Sequence, residues 1–207
     1  MNQAVIIADS TADIPQATVS EYGIHIVPMR LAFGDQSYLE GIDITAEEFY
    51  DKLIKSKELP TTSQTSPSQY VEVYRNLLAA YPGSPIISIH ISSGMSGTYQ
   101  SAVLAKEMLE EELGHSVDVT VIDSLCASYG FGLLVVHAAR LAKQGASVEE
   151  IRAEVERLGK ARRLYFLVDT LEYLQKGGRI GKAAAILGNL LNIKPILSVD
   201  QEGIIYA

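Results

Sequence analysis

Residues 86–98 read Ile-Ile-Ser-Ile-His-Ile-Ser-Ser-Gly-Met-Ser-Gly-Thr, and few architectures accept such a stretch. It starts as a β-branched run of strand type and breaks into small hydroxyl and glycine residues. Beyond it Ala102, Val103, Ala105, Met108, Leu109 and Leu113 recur at mixed three- and four-residue spacings, the pattern of a helix. A buried strand that ends in a small-residue loop at a helix start gathers free N–H groups and the positive end of the helix dipole. Such a place favours an oxyanion. Ser92, Ser93, Ser96 and Thr98 add hydroxyl donors there without formal charge. The same residues also fit a plain capped helix with a glycine-rich start, so the local pattern leaves both readings open.

The rest of the chain supplies the sheet that such a strand needs. Residues 4–8, Ala-Val-Ile-Ile-Ala, form a short continuous apolar run, the mark of a strand covered on both faces. It ends in Asp9-Ser10-Thr11-Ala12-Asp13. A short helix is expected over 14–22 with Pro15 in its first turn, then a strand over 24–30 and a hairpin over 31–39 broken by Gly34-Asp35. Thr45 with Glu48, Ser66 with Gln69, and Ser147 with Glu150 have the spacing of capping boxes, each opening a helix. Residues 61–66 are small and polar without apolar periodicity and fit an ordinary linker equally well. After Gly114, a helix stop, residues 117–123 are again of strand type, Asp123-Ser124 repeats the earlier Asp-Ser ending, and 133–142 predict a buried helix.

Strand and helix therefore alternate from residue 4 to residue 143, which predicts an α/β fold: a parallel sheet flanked by helices on both faces. In such sheets the ligand site lies beyond the carboxyl ends of the strands. Asp9-Ser10, Ser92-Ser93 and Asp123-Ser124 converge there. From Arg162 the character changes towards a second, smaller α/β domain. It comprises a strand over 164–168, a helical piece over 171–174 and a flexible turn at Gly177-Gly178-Arg179-Ile180-Gly181. A small-residue helix over 183–191 and a hairpin of 196–199 with 204–206 follow. The expected boundaries are 1–160 for the domain carrying the binding loops and 161–207 for the second, which reads as incomplete because the chain stops one strand into that hairpin.

Bulk properties narrow the chemistry. A length of 207 residues suffices to bury a real core, and a formal net charge of -8 disfavours nucleic acid as a partner. The one compact basic group, Lys160 with Arg162 and Arg163, reads as a solvated helix end. Cys126 is the single cysteine, which excludes an internal disulfide and a thiolate zinc cluster, and His25, His90 and His115 show no ligand spacing. No metal or cofactor is expected. The apolar run at 4–8 is too short for a signal peptide, and none approaches the ~20 residues needed to cross a bilayer. The expectation is a soluble cytoplasmic protein without integral membrane association.

Three site chemistries compete. Nucleotide binding lacks the Lys-Ser/Thr pair of a P-loop and the spaced glycines of a dinucleotide fold. A serine hydrolase acting on acyl esters through Ser96 has Gly94-Met95-Ser96-Gly97 in its favour, with Asp123 and His137 in hydrolase order. Thr98, however, stands where the nucleophile elbow needs glycine, and His137 lies in an apolar helical run. A carboxylate site fits better: Thr61-Thr62-Ser63 and Ser92-Ser93 offer two hydroxyl clusters to one carboxyl group, without metal or lysine, while apolar residues supply a tunnel for a tail.

Several blocks, taken together, resemble the DegV family. They are Asp9-Ser10-Thr11-Ala12-Asp13, then Pro60-Thr61-Thr62-Ser63-Gln64, then residues 92–102, then Leu171-Glu172-Tyr173-Leu174 with Gly177-Gly178-Arg179-Ile180, and Lys194-Pro195-Ile196-Leu197. The resemblance implies a two-domain α/β protein that buries a long-chain fatty acid such as palmitate between its domains and serves lipid transport or fatty acid metabolism. It implies no catalytic residues. The carboxyl group would be held by Thr62 (or Thr61) and Ser93, with Ser92 and the N–H groups around Gly94 as neighbours. FakB-type members present the acid to a separate fatty acid kinase, which would leave this chain a carrier. Members usually continue past the hairpin at Ile204, a part that this sequence lacks.

Overall fold

The computed structural model describes residues 2–56, 58–187 and 194–207. The chain runs β1 (Val5–Asp9), a 3-10 turn (Ser10–Ala12), α1 (Gln16–Tyr22), β2 (His25–Val27), β3 (Arg30–Phe33), β4 (Gln36–Leu39) and α2 (Ala46–Lys55). It continues through β5 (Thr61–Ser63), α3 (Pro67–Ala80), β6 (Ile86–His90), α4 (Thr98–Leu113), β7 (Val119–Asp123), α5 (Tyr129–Lys143) and α6 (Val148–Ala161). The remaining elements are β8 (Tyr165–Phe166), α7 (Glu172–Lys176), a 3-10 stretch (Gly181–Ile186), β9 (Leu197–Val199) and β10 (Ile205–Tyr206).

The main sheet has the order β2-β1-β6-β7 and is parallel throughout, with Ile7 opposite His25, Ile6 opposite Ile87, and Ile87 opposite Thr120. Its two central strands are buried at every position, which is why they read as continuous apolar runs. Successive side chains turn to opposite faces and feed two cores. Ile6, Ala8, Ile87 and Ile89 pack with Phe131, Val135 and Ala138 of α5 on one face. On the other, Val5, Ile7 and Ile86 pack with Tyr70 and Tyr74 of α3 and with Ala105 and Leu109 of α4. The α/β expectation of a helix-flanked parallel sheet is met, and all three capping boxes form.

Among the described residues, two smaller antiparallel sheets accompany it, ordered β4-β3-β5 and β10-β9-β8. The first corrects two expectations. Residues 24–30 do not make one strand: β2 ends before Pro28, which has no N–H for the ladder, and Arg30 already belongs to the second sheet. Residues 61–63, which fitted a linker, are a strand paired with β3 through the backbone, with Leu31 opposite Thr62. Their exposure on one edge explains the missing apolar period. The helix expected from residue 14 starts at Gln16 with Pro15 as its N-cap, because the Asp9 side chain caps the 3-10 turn and Asp13 takes a left-handed φ of 50°. Near the C-terminus, β8 is shorter than expected, and residues 181–186 form a 3-10 stretch where a helix over 183–191 was read. Positions 188–191 lie outside the described residues.

Candidate ligand-binding site

A cavity of about 420 Å³ lies between the β4-β3-β5 sheet and the β10-β9-β8 sheet, above the loop that follows β6. The register of β3 decides what the first wall presents. Thr62 stands opposite Leu31, and the Glu40 N–H donates to the Met29 carbonyl at 2.9 Å, one step beyond the Arg30–Leu39 pair. Residues two apart on a strand share a face with their direct cross-strand neighbours, so Met29, Leu31, Glu40 and Thr62 all turn towards the cavity. Thr61, paired with Ala32, turns to the other face. Phe166, Val199 and Ile205 form the facing apolar wall, and Ile91, Met95 and Ser96 the floor.

The loop after β6 is fixed by its own small residues. The Ser92 carbonyl accepts the N–H groups of Met95 and Ser96 at 3.0 and 3.1 Å. The Ser92 hydroxyl is fully buried; it donates to the Gly203 carbonyl at 2.8 Å and accepts the Gly94 N–H at 3.1 Å. Gly203 sits so close, at φ +77°, that a Cβ there would stand 2.0 Å from Ser92 Oγ; a Cβ on Gly94 would stand 2.5 Å from Ile204 Cδ1. Ser92 and Gly94 therefore dock the β9–β10 hairpin. The Ser93 N–H donates to both Asp123 oxygens, at 3.2 and 3.3 Å. Gly97 lets Gln64 close over the start of α4, since a Cβ would meet Gln64 Nε2 at 2.6 Å. That contact brings the end of β5 to the loop. Of the five expected carboxylate residues, Thr62 lines the cavity at its exposed rim, while Thr61, Ser92, Ser93 and Gly94 lie outside the lining.

Ser96, read as a candidate nucleophile, is a lining hydroxyl 2.8 Å from Thr98 Oγ1. Asp123 accepts the N–H groups of Ser93 and Leu125, whereas His137 lies 3.5 Å from Glu154 and 3.1 Å from Arg140. The hydrolase constellation is not assembled. Three residues that sequence spacing left without a role do shape the cavity. Arg179 brings a guanidinium to it, held by Nε donating to the Met95 carbonyl at 3.1 Å and Nη1 to the Gly177 carbonyl at 2.6 Å. Glu40 brings a carboxyl group whose pKa burial pushes up, partly offset by the Ser10 hydroxyl, with Asp13 and Asp9 adding repulsion. His90, fully buried, meets Asp9 at 3.1 Å through Nδ1 and Ser88 at 2.7 Å through Nε2. The Asp9 carboxylate also accepts the Ile91 N–H and the Thr11 hydroxyl, fixing two residues that line the cavity. Asp9 and His90 lie 81 positions apart, so no local motif marks the pair.

A family model described as "Uncharacterised protein, DegV family" matches residues 3–207. The chain belongs to the DegV family. A DegV domain-containing protein of Caldanaerobacter subterraneus subsp. tengcongensis is 41% identical over 203 residues, spanning 98% of this DegV chain and 69% of the relative. Among solved structures, "Fatty Acid Binding of a DegV family Protein from Thermus thermophilus" superposes with a TM-score of 0.87 at 39% identity, over 99% of this chain and 70% of that one. A stearic acid-binding protein from Eubacterium ventriosum superposes with a TM-score of 0.88 at 31% identity, over 99% and 69%. The helix-flanked parallel sheet with its smaller antiparallel sheets is thus the DegV fold.

Proposed function

We propose that this DegV-family chain binds a long-chain fatty acid, such as palmitate, in the cavity between its first α/β unit and its smaller C-terminal one. The observation that carries the reading is the slot itself: two apolar walls with hydroxyl groups at Thr62 and Ser96, in a chain that superposes on solved fatty-acid-binding relatives. Its volume falls in the range of small-molecule sites, ~300–1,000 Å³. Each methylene buried between the walls contributes ~0.8 kcal/mol, so the tail supplies affinity and the polar end sets orientation. Thr62 donates to the carboxyl group from β5, and Ser93, outside the lining but in the loop that forms the cavity floor, is the proposed second hydroxyl partner. Thr61, Ser92 and Gly94 shape the strand and loop around them, and Arg179 adds positive potential to the cavity.

The chain acts as a carrier rather than a catalyst, in lipid transport or fatty acid metabolism, and hands the acid to a separate kinase that supplies the phosphoryl chemistry. The division of labour follows 1–160 for the carboxyl-holding unit and 161–207 for the facing wall. Native mass spectrometry of purified protein, followed by extraction and identification of bound lipid, tests the reading. The expected result is a co-purifying long-chain acid that is lost in the Thr62→Ala, Ser93→Ala double variant. A folded protein that stays empty after incubation with palmitate would sink it.

A further inference from the structure

Beneath the floor of the slot runs a chain of polar side chains, none of which lines it. Ser88 and His90 of β6 are two apart and share a face, and Ile7 of β1 is the register partner of Ser88, so Asp9 reaches the same layer. Tyr70 and Tyr74 of α3 close over that layer, and all five residues are fully buried. Tyr74 Oη lies 3.1 Å from Ser88 Oγ, Ser88 Oγ 2.7 Å from His90 Nε2, and His90 Nδ1 3.1 Å from Asp9 Oδ2. Tyr70 stands edge-on to the imidazole; its Oη is a longer 3.4 Å from Nδ1, and Thr65 gives that hydroxyl a partner of its own.

Counting donors fixes where the protons sit. Asp9 also accepts the N–H groups of Ile91 and Thr11, at 3.1 and 3.2 Å, and the Thr11 hydroxyl. Such a gathering of donors is the environment of a carboxylate, and an imidazole nitrogen facing it at 3.1 Å carries a proton. With the proton on Nδ1, Nε2 accepts from Ser88, and Ser88 accepts from Tyr74. Each hydroxyl then gives one proton and each buried acceptor in the chain receives one. Burial raises the pKa of Tyr74, which keeps the first proton of the chain in place. A second imidazole proton, on Nε2, would turn the Ser88 hydroxyl back towards Tyr74 and leave the buried Tyr74 proton without an acceptor among the described residues.

The far end of the chain holds the slot. Ile91 and Thr11, the two residues that Asp9 anchors, both line it, and Ile91 leads directly into Ser92 and Ser93. The His90 carbonyl accepts the Ser124 N–H at 3.0 Å and so ties in the loop after β7 as well. The loops at the carboxyl ends of β1, β6 and β7 thus meet at one buried histidine.

We propose that His90 is a positioning residue for the slot: a neutral imidazole protonated on Nδ1 and oriented by Ser88 and Tyr74, it holds the Asp9 carboxylate, which in turn holds Ile91 and Thr11 against the ligand. The inference rests on the fatty-acid reading and deepens it. Long-range proton–nitrogen NMR of labelled wild-type protein reads the tautomer directly, and the expected spectrum shows a protonated Nδ1 and a bare Nε2 at His90. Palmitate affinity is then measured by isothermal titration in two variants that imitate one ring nitrogen each. His90→Asn places an amide N–H where Nδ1 stands and keeps the bond to Asp9, whereas His90→Gln reaches Ser88 and leaves Asp9 without that donor. Both lose the packing of the ring, so their melting temperatures fall together. Affinity falls roughly tenfold in His90→Gln and only about twofold in His90→Asn. Equal weakening in the two, or none in either, overturns the positioning role and leaves His90 a packing residue, with the fatty-acid reading intact. If the His90 pair does not fold, Ser88→Ala, which keeps the imidazole, decides the case: affinity drops about threefold, and an unchanged value overturns the role. A proton on Nε2, alone or together with one on Nδ1, overturns the hydrogen-bond chain itself. A wild-type chain that shows the expected tautomer yet binds no palmitate overturns the fatty-acid reading and the positioning role with it, while the hydrogen-bond chain stands.

Discussion

Thr61 and Thr62 are chemically identical neighbours, yet pairing with β3 turns them to opposite faces of a small sheet. That difference makes a sharp prediction. Thr62→Ala removes a hydroxyl from the cavity rim and lowers fatty acid affinity by about 1–3 kcal/mol, while Thr61→Ala leaves it within error, as isothermal titration with palmitate would measure. Equal losses would mean that the register does not choose between them. The sequence made both threonines visible but not the choice, because a run of polar residues has no period from which a face can be read. Glu40 was illegible for a different reason: its partner Ser10 lies 30 positions away, and only their meeting in the fold partly buries the carboxyl group. Burial raises its pKa in the folded chain above the unfolded value, so the native state holds this proton more tightly. The stability that this adds is fully present below the ordinary carboxylate value and is lost as pH rises through the raised one. Glu40→Gln escapes the loss. Its melting temperature relative to wild type should therefore climb as pH rises from the ordinary carboxylate value through the raised one, in thermal melts by circular dichroism. A constant difference would show that Glu40 is solvated in the native state.

At the scale of elements, legibility follows how local the determining physics is. Capping boxes depend on residues three apart, and Thr45–Glu48, Ser66–Gln69 and Ser147–Glu150 all close as their spacing implies. Removing one has a predictable effect: Ser147→Ala leaves the Glu150 N–H without its side-chain acceptor and destabilises the chain by ~1 kcal/mol in urea unfolding, with an unchanged m-value. A loss well below that would mean that α6 is held by its packing through Ile151 and Val155 alone. The central strands were equally plain, since burial on both faces writes itself as an uninterrupted apolar run. The break at Pro28 and the strand at Thr61–Ser63 were not, because an exposed edge strand is specified by its partner's backbone rather than by its own side chains.

At the scale of the molecule, the cavity exists only because the C-terminal hairpin is held against the loop after β6. The Ser92 hydroxyl reaches the Gly203 carbonyl at 2.8 Å, Arg162 Nη2 reaches the Asp200 carbonyl at 2.8 Å, and Arg179 Nε reaches the Met95 carbonyl at 3.1 Å. These contacts join residues 38 to 111 positions apart, so the sequence could announce the ends of the parallel strands but not the second wall. Gly203 is where that assembly is most exposed to perturbation. An alanine there places its Cβ 2.0 Å from Ser92 Oγ at a φ of +77°, so either the hairpin or the loop must move. The first unit keeps its own sheet and both of its cores, since neither draws on the hairpin. Ligand linkage separates the two effects. A ligand at a hundredfold excess over its dissociation constant stabilises the native state by about 2.7 kcal/mol, so palmitate should raise the melting temperature of the wild-type chain. In Gly203→Ala the displaced wall buries less of the tail, and the palmitate-induced rise should shrink while hydrogen exchange in β1 and β6 remains as slow as in wild type. A full-sized rise in that variant would mean that the facing wall contributes little to binding and that the acid is held by the first unit alone.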